Sequence, residues 1–242
     1  MTRFLSPELV PFPLFGTAHL ATLALAAVVG FLMVRGGRRS KARRSRLRWA
    51  MVAGFLIGES LSNGWSASVG RWQLDSDLPL HLCGVMVWVS VYGLVSRARW
   101  ARTLMYFFGV AGASQALLTP SAEHGIAHIA YLATMLSHGL LVIAGLWVVL
   151  VEEYRPGIRD LVVAFVILNI YALALYPVNL LLGSNYMYLV SKPESQSLFD
   201  VFPSWPWYLL LTEFVAFALF VLMYLPFRRG RSTRIRRGAR GA

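Results

Sequence analysis

The chain has 242 residues, 57% of them hydrophobic and 14% charged, with a formal net charge of +12. Its mean hydropathy is +0.58. Soluble domains average about 25% charged residues, so an ordinary globular core is excluded and lipid is the expected solvent for most of the chain. The positive charge does not indicate nucleic acid, because no aromatic or glycine motif is interleaved with the arginines.

A transmembrane helix needs about 20 predominantly apolar residues. Seven stretches qualify: 16–34, 49–69, 78–96, 102–119, 127–150, 160–182 and 207–226. The predicted fold is an all-α integral membrane protein, a seven-transmembrane-helix bundle whose backbone hydrogen bonds close within each span. The expected organisation is an external lead-in (1–15), the helical domain (16–226) and a basic cytoplasmic tail (227–242). Pro7, Pro11 and Pro13 keep the lead-in extended. No small-residue cleavage site follows the first apolar run, which reads as a retained helix.

Along the chain, segment 1 opens with GTAHL, which places His19 near its outer end. Eight basic residues follow (Arg35, Arg38, Arg39, Lys41, Arg43, Arg44, Arg46 and Arg48) in what reads as an inner loop. Arg97, Arg99 and Arg102 lie on the same side, as do Arg155, Arg159 and the seven arginines after Phe227. Only Arg3, Arg71 and Lys192 remain for the other side. The positive-inside rule therefore predicts the N-terminus outside and the C-terminus cytoplasmic. The basic loop and tail are expected to lie against anionic lipid headgroups.

Segment 2 carries Glu59 and Asn63 four residues apart, hence on one face. The outer loop RWQLDSD ends in Asp77, the expected N-cap of segment 3 just ahead of Pro79. Segment 3 opens with LPLHLCGVMVW, containing His81 and the sole cysteine, Cys83. One cysteine excludes an internal disulfide and leaves a free thiol. Segment 4 places Gln115 near its outer end, before Thr119–Pro120. On segment 5, His128, Tyr131, Met135 and His138 fall on one stripe. Segment 6 contains Asn169, an expected kink at Pro177, and Asn179. The outer loop 183–206 offers Asn185 and Tyr186, and its aromatics suit either an interfacial belt or a lid. Segment 7 contains Glu213. No internal repeat suggests a transporter built from two halves.

Counted inward from the outer helix ends, His19, His81, Asn179, Gln115, Cys83, Asn63, Glu213, Glu59 and His138 occupy one layer. At about 1.5 Å per residue, that layer lies roughly 5–17 Å below the outer boundary. Such residues can join helices through hydrogen bonds worth about 0.6–2 kcal/mol. Ionisable groups at that depth cost about 2.5–3.5 kcal/mol on insertion scales and usually mark function. The expected site therefore combines Cys83, His138 and His81 as catalytic candidates. His19, Glu59, Asn63, Gln115, Asn179, Asn185, Tyr186 and Glu213 are the substrate-binding candidates.

His81 and Cys83 point about 160° apart on a helix, so a base for Cys83 must come from another helix: His138, His128 or His19. A thiol backed by histidine is a nucleophile for acyl transfer, whereas most free cysteines are small apolar core residues. A zinc site built from His19, His81, His138 and Glu59 is a further possibility, although only His124–His128 (HGIAH) has a local two-ligand spacing. No glycine-rich phosphate loop, GxSxG elbow or dinucleotide fingerprint is present, and no cofactor is expected.

FGTAHL, LPLHLCGVMVW, QALLTP, the SHG around His138, NYMYLVSKP and WPWY together resemble the YwaF-type bacterial integral membrane proteins, over about residues 15–225. That family is distantly similar to human transmembrane protein 164, a cysteine-dependent transacylase of phospholipids. The resemblance implies a multi-pass protein of the bacterial cytoplasmic membrane. It also implies acyl transfer through a cysteine and a histidine, with phospholipid or lysophospholipid as substrate. Cys83 and His138 are the matching positions, with Leu80 the other position where the nucleophile column can fall. The alternative class is a transporter or binding protein for a small polar solute, using Glu59 and Glu213 as proton or cation sites.

Overall fold

A computed structural model of the chain describes residues 4–5, 13–120, 125–126, 128–193 and 198–238. Seven α-helices account for its long elements: α1 (Thr17–Arg39), α2 (Lys41–Ser68), α3 (Leu82–Ser96), α4 (Arg99–Leu118), α5 (Ile129–Leu150), α6 (Ile158–Leu182) and α7 (Trp207–Gly238). Two short 3-10 turns, Tyr186–Tyr188 and Leu198–Val201, precede α7, and there is no strand among the described residues. The expected extended conformation at Pro7 and Pro11 and the last residues of the tail lie outside the described residues.

Four helices, α1, α5, α6 and α7, are long and apolar enough to cross a membrane. Helix α3 is apolar but has only 15 residues, and α2 and α4 are interrupted by polar and arginine residues. Outward faces are apolar, as at Phe31 on α1, Leu173 and Leu181 on α6 and Phe214 on α7. Water does not favour such a continuous apolar exterior; lipid does.

Helices α4 and α5 form the centre. A Cβ on Gly109 would stand 2.8 Å from the Leu141 carbonyl oxygen, and one on Gly145 would stand 2.5 Å from that of Met105. The two backbones meet because these positions lack side chains, the usual device where apolar burial gives no preference for protein over lipid. Phe107, Met105, Leu141, Ala144 and Trp147 fill the surrounding core. Helices α2 and α3 pack beside this pair, while α1 and α7 are peripheral.

Three boundaries differ from the sequence expectation. The basic stretch 35–48 is not a loop, because α1 runs to Arg39 and α2 starts at Lys41. The Ser40 hydroxyl between them accepts from the Arg43 N–H at 3.2 Å, and the flanking Arg, Lys and Ala residues are strong helix formers. Asp77 is not the N-cap of α3. It accepts instead from Ser66 Oγ (2.8 Å), Ser76 Oγ (2.9 Å) and the Gln73 N–H (3.1 Å), closing the α2–α3 turn. His81 occupies the N-cap position. Helix α7 continues through Pro226 past the expected start of the tail at 227.

The arginine-rich end is closed by ion pairs. Asp160, in the first turn of α6, accepts from Arg99 through both oxygens (2.7 and 3.2 Å) and from the Gly157 N–H at 2.7 Å. Tyr154 and Thr103 share a 2.7 Å hydrogen bond beside it, and burial pushes the Tyr154 phenol up to about 12.

Gly145→Val is expected to force α4 and α5 apart and cost about 1–3 kcal/mol, read as a lower melting temperature in detergent, with unchanged melting refuting the close approach. Asp160→Ala removes a charge-assisted anchor and is expected to cost about 1.5–3 kcal/mol, whereas Asp160→Glu should recover part of it.

Candidate functional site

A cavity of about 780 Å³ lies at the end of the bundle opposite the arginine-rich turns, within the roughly 300–1,000 Å³ typical of ligand sites. Its floor and walls are largely apolar, with Phe108, Leu168, Leu173 and Leu219 among the lining residues. Polar groups reach it from five helices and the outer loop: His81 and Cys83, Gln115, Thr134 and His138, Asn169, and Glu213, with Tyr188 from the loop. Leu173 on this wall is 77% exposed on the outer face, so the cavity borders the apolar perimeter between α6 and α7.

Helix geometry brings the chemistry together. Cys83 is the second residue of α3, in the first turn, where backbone N–H groups have no intrahelical partner. His138 comes from the middle of α5, and its ring faces the Cys83 side chain across the cavity wall, close enough to act on it electrostatically. His138 Nδ1 lies 2.8 Å from the Thr134 carbonyl oxygen. A carbonyl only accepts, so Nδ1 carries the proton and Nε2 presents its lone pair. The Glu59 carboxylate, on α2, is close enough to act electrostatically on His138.

His81 has the complementary tautomer. Its Nδ1 accepts from the Met187 N–H at 3.2 Å, so in the neutral ring Nε2 carries the proton and is a donor. Its ring is flanked by Tyr186 and Tyr188, with centroids 5.2 and 5.3 Å away. One imidazole is thus set as an acceptor and the other as a donor, both on the same cavity.

The outer loop is pinned to this arrangement. Met187 and Tyr188 both have positive φ (58° and 55°), a conformation non-glycine residues adopt only when their surroundings impose it. The His81 ring holds the Met187 N–H, and the Tyr208 hydroxyl donates to the Tyr188 carbonyl.

Of the sequence-predicted site residues, Cys83, His138, His81, Gln115 and Glu213 line the cavity. Glu213 accepts from Asn169 Nδ2 at 3.0 Å. Glu59 and Asn63 stand behind, joined at 3.3 Å, and Asn63 also accepts from Trp72 Nε1. The others serve the scaffold. His19 is buried between the Phe15 N–H and the Leu117 carbonyl (3.1 and 2.8 Å), tying α1 to α4. Asn179 binds both the N–H and carbonyl of Tyr186 at 2.9 Å. Asn185 folds the loop onto Val190 and Ser191. The Tyr186 hydroxyl donates to Leu74 O at 2.7 Å and accepts from Leu78 N.

His128 does not share the stripe's role either. It is the N-cap of α5, accepting from the Ala130 N–H at 3.1 Å, while His124 lies outside the described residues. Among the described residues no three His, Cys, Asp or Glu side chains gather as a metal site, and His19 is spent elsewhere. Tyr176, Tyr188, Tyr208, Thr134 and Thr212 also line the cavity and were missed as site residues. Aromatic richness of the loop 183–206 and of WPWY was the signal for Tyr188 and Tyr208, whereas Tyr176, Thr134 and Thr212 are single polar groups inside apolar helices.

Fold and cavity define a helical membrane protein with a largely apolar pocket and a Cys–His pair in its wall. The chain matches the TMEM164 family over residues 14–224 and belongs to that family. This agrees with the similarity to human transmembrane protein 164; the match does not extend to the YwaF-type label. No curated protein and no solved structure matches the chain.

A membrane-permeant maleimide is expected to alkylate Cys83, the only thiol, in the folded protein. His138→Ala should slow that reaction about tenfold near pH 7 by removing the base, and an unchanged rate would show that the imidazole does not act on the thiol.

Proposed function

We propose that this chain is a lipid acyltransferase or lipid hydrolase with seven membrane spans, its arginine-rich end in the cytoplasm and its cavity toward the outer face of a bacterial cytoplasmic membrane. The reading is carried by one observation: Cys83 and His138, from different helices, meet in the wall of one apolar cavity. An acyl chain needs such a pocket, and the outward-facing Leu173 marks the side from which lipid reaches it. Leu80 is not among the lining residues, which favours Cys83 as the nucleophile.

In the proposed reaction His138 Nε2 takes the Cys83 proton, and the thiolate attacks the ester carbonyl carbon of a phospholipid. The tetrahedral intermediate collapses as the ester C–O bond breaks, and the leaving lysophospholipid oxygen takes the proton back from His138. The acyl group is left as a thioester on Cys83. A lysophospholipid hydroxyl, or water for hydrolysis, then gives its proton to His138 and attacks the thioester, releasing the thiolate. His81 Nε2–H, with the α3 backbone N–H groups, supplies donors for the carbonyl oxygen. Glu59 stabilises the imidazolium formed at each proton transfer. Gln115 and Glu213 orient the polar part of the substrate.

A second reading, binding or transport of a small polar solute, draws support from the Asn169–Glu213 pair in the cavity wall. The two separate in one assay. Protein in lipid nanodiscs receives an acyl-labelled phospholipid and an unlabelled lysophospholipid, and mass spectrometry follows labelled product and free fatty acid. Wild type is expected to transfer or release label, and Cys83→Ala and His138→Ala to fall at least about 100-fold. Transfer that survives Cys83→Ala would move the nucleophile elsewhere. A folded protein that neither transfers nor releases label across headgroups would leave solute binding as the function.

A further inference from the structure

At the end of the bundle away from the cavity, arginines outnumber their acidic partners at a junction of three helices. Arg48 from α2 and Arg102 from α4 both face the Glu152 carboxylate that follows α5. Neither contact is a hydrogen bond: the Nε–carboxylate distances are 3.6 and 3.7 Å. Glu152 also accepts from Trp147 Nε1 at 3.3 Å. All three charged side chains are largely enclosed, with 12%, 21% and 7% of their surface exposed.

The Nε atoms of Arg48 and Arg102 are buried without a hydrogen-bond partner. Arg44 and Arg97 lie near enough to Arg48 to repel it; of the other acids at this end, Asp160 is engaged by Arg99 and Glu153 is exposed. Two guanidinium groups thus share one carboxylate, with two more beside Arg48. Unpaired buried cations are costly, and natural sites place a counter-charge beside them. Arginine's planar fork of donors fits phosphate oxygens in particular. A basic pocket between helix ends at a membrane surface is where anionic lipid headgroups are held.

We propose that Arg44, Arg48, Arg97 and Arg102 form a binding site for a phosphate group, either the phosphodiester of an anionic lipid or a soluble phosphate. The site is separate from the cavity and independent of the acyl-transfer reading, because it contains neither Cys83 nor His138 and is tested without turnover.

The test uses the full-length protein in detergent, titrated separately with phosphatidylglycerol, phosphatidylcholine and inorganic phosphate. Retained lipid is counted by native mass spectrometry, and thermal unfolding is followed in parallel. The expected result is preferential retention of phosphatidylglycerol with a raised melting temperature. Arg102→Gln should weaken retention about fivefold. Arg97→Asn should do the same while preserving the fold, since Arg97 has φ of 56°, which asparagine tolerates, and none of the Glu152 pairs involves it. A shift produced by inorganic phosphate alone, and lost in the same variants, would assign the site to a soluble anion. Equal retention of the two lipids with no effect of phosphate, or undiminished phosphatidylglycerol binding in both variants, would overturn the proposal.

Discussion

The close approach of α4 and α5 is the constraint on which the remaining arrangement rests. Gly109 and Gly145 let the two backbones come within reach of each other's carbonyl oxygens, so the central pair is fixed by shape. In lipid, apolar side chains gain little by leaving the solvent, and helices associate where packing is tightest. Because α5 carries His138 and α4 carries Gln115 and part of the cavity wall, this contact sets the position of His138 relative to the pocket. Helix α3, packed beside α4, then delivers Cys83 to the same wall.

Polar groups in the outer half of the bundle divide into two kinds. One kind answers the needs of backbone ends: His19 takes a carbonyl at the end of α4, Asn179 holds the start of the outer loop, and His128 caps α5. A buried backbone group without a partner is costly, so these side chains are occupied before any ligand arrives. The other kind faces the cavity with capacity to spare. His81 and His138 are each fixed at Nδ1 by the backbone and present Nε2, one as donor and one as acceptor. Backbone contacts therefore decide which imidazole offers a donor to the cavity and which an acceptor.

The two ends of the molecule handle charge differently. Near the cavity the few ionisable groups sit in apolar walls, each with one or two neighbours. At the opposite end arginines are in excess, and among the described residues Glu152 and Asp160 pair with three of them. The molecule therefore has a largely apolar pocket at one end and a concentration of positive charge at the other.

The apolar periodicity, the sidedness of the arginines and the presence of chemically capable residues near the outer helix ends were all legible in the sequence, since each depends only on local composition and the thickness of hydrocarbon. Sequence also identified Cys83, His138, His81, Gln115 and Glu213 as candidates, because polar residues inside apolar runs stand out against their neighbours. It did not separate these from His19, Asn179, Asn185 and Tyr186. His19, Asn179 and Tyr186 are buried while the cavity residues are less so, and which backbone atom or cavity each side chain meets depends on how helices distant in sequence pack. The true start of α3, the helical continuity around Ser40 and the pairing of Cys83 with His138 across two helices likewise came from tertiary structure. Local propensity describes a segment's tendency, whereas these features depend on partners dozens of residues away.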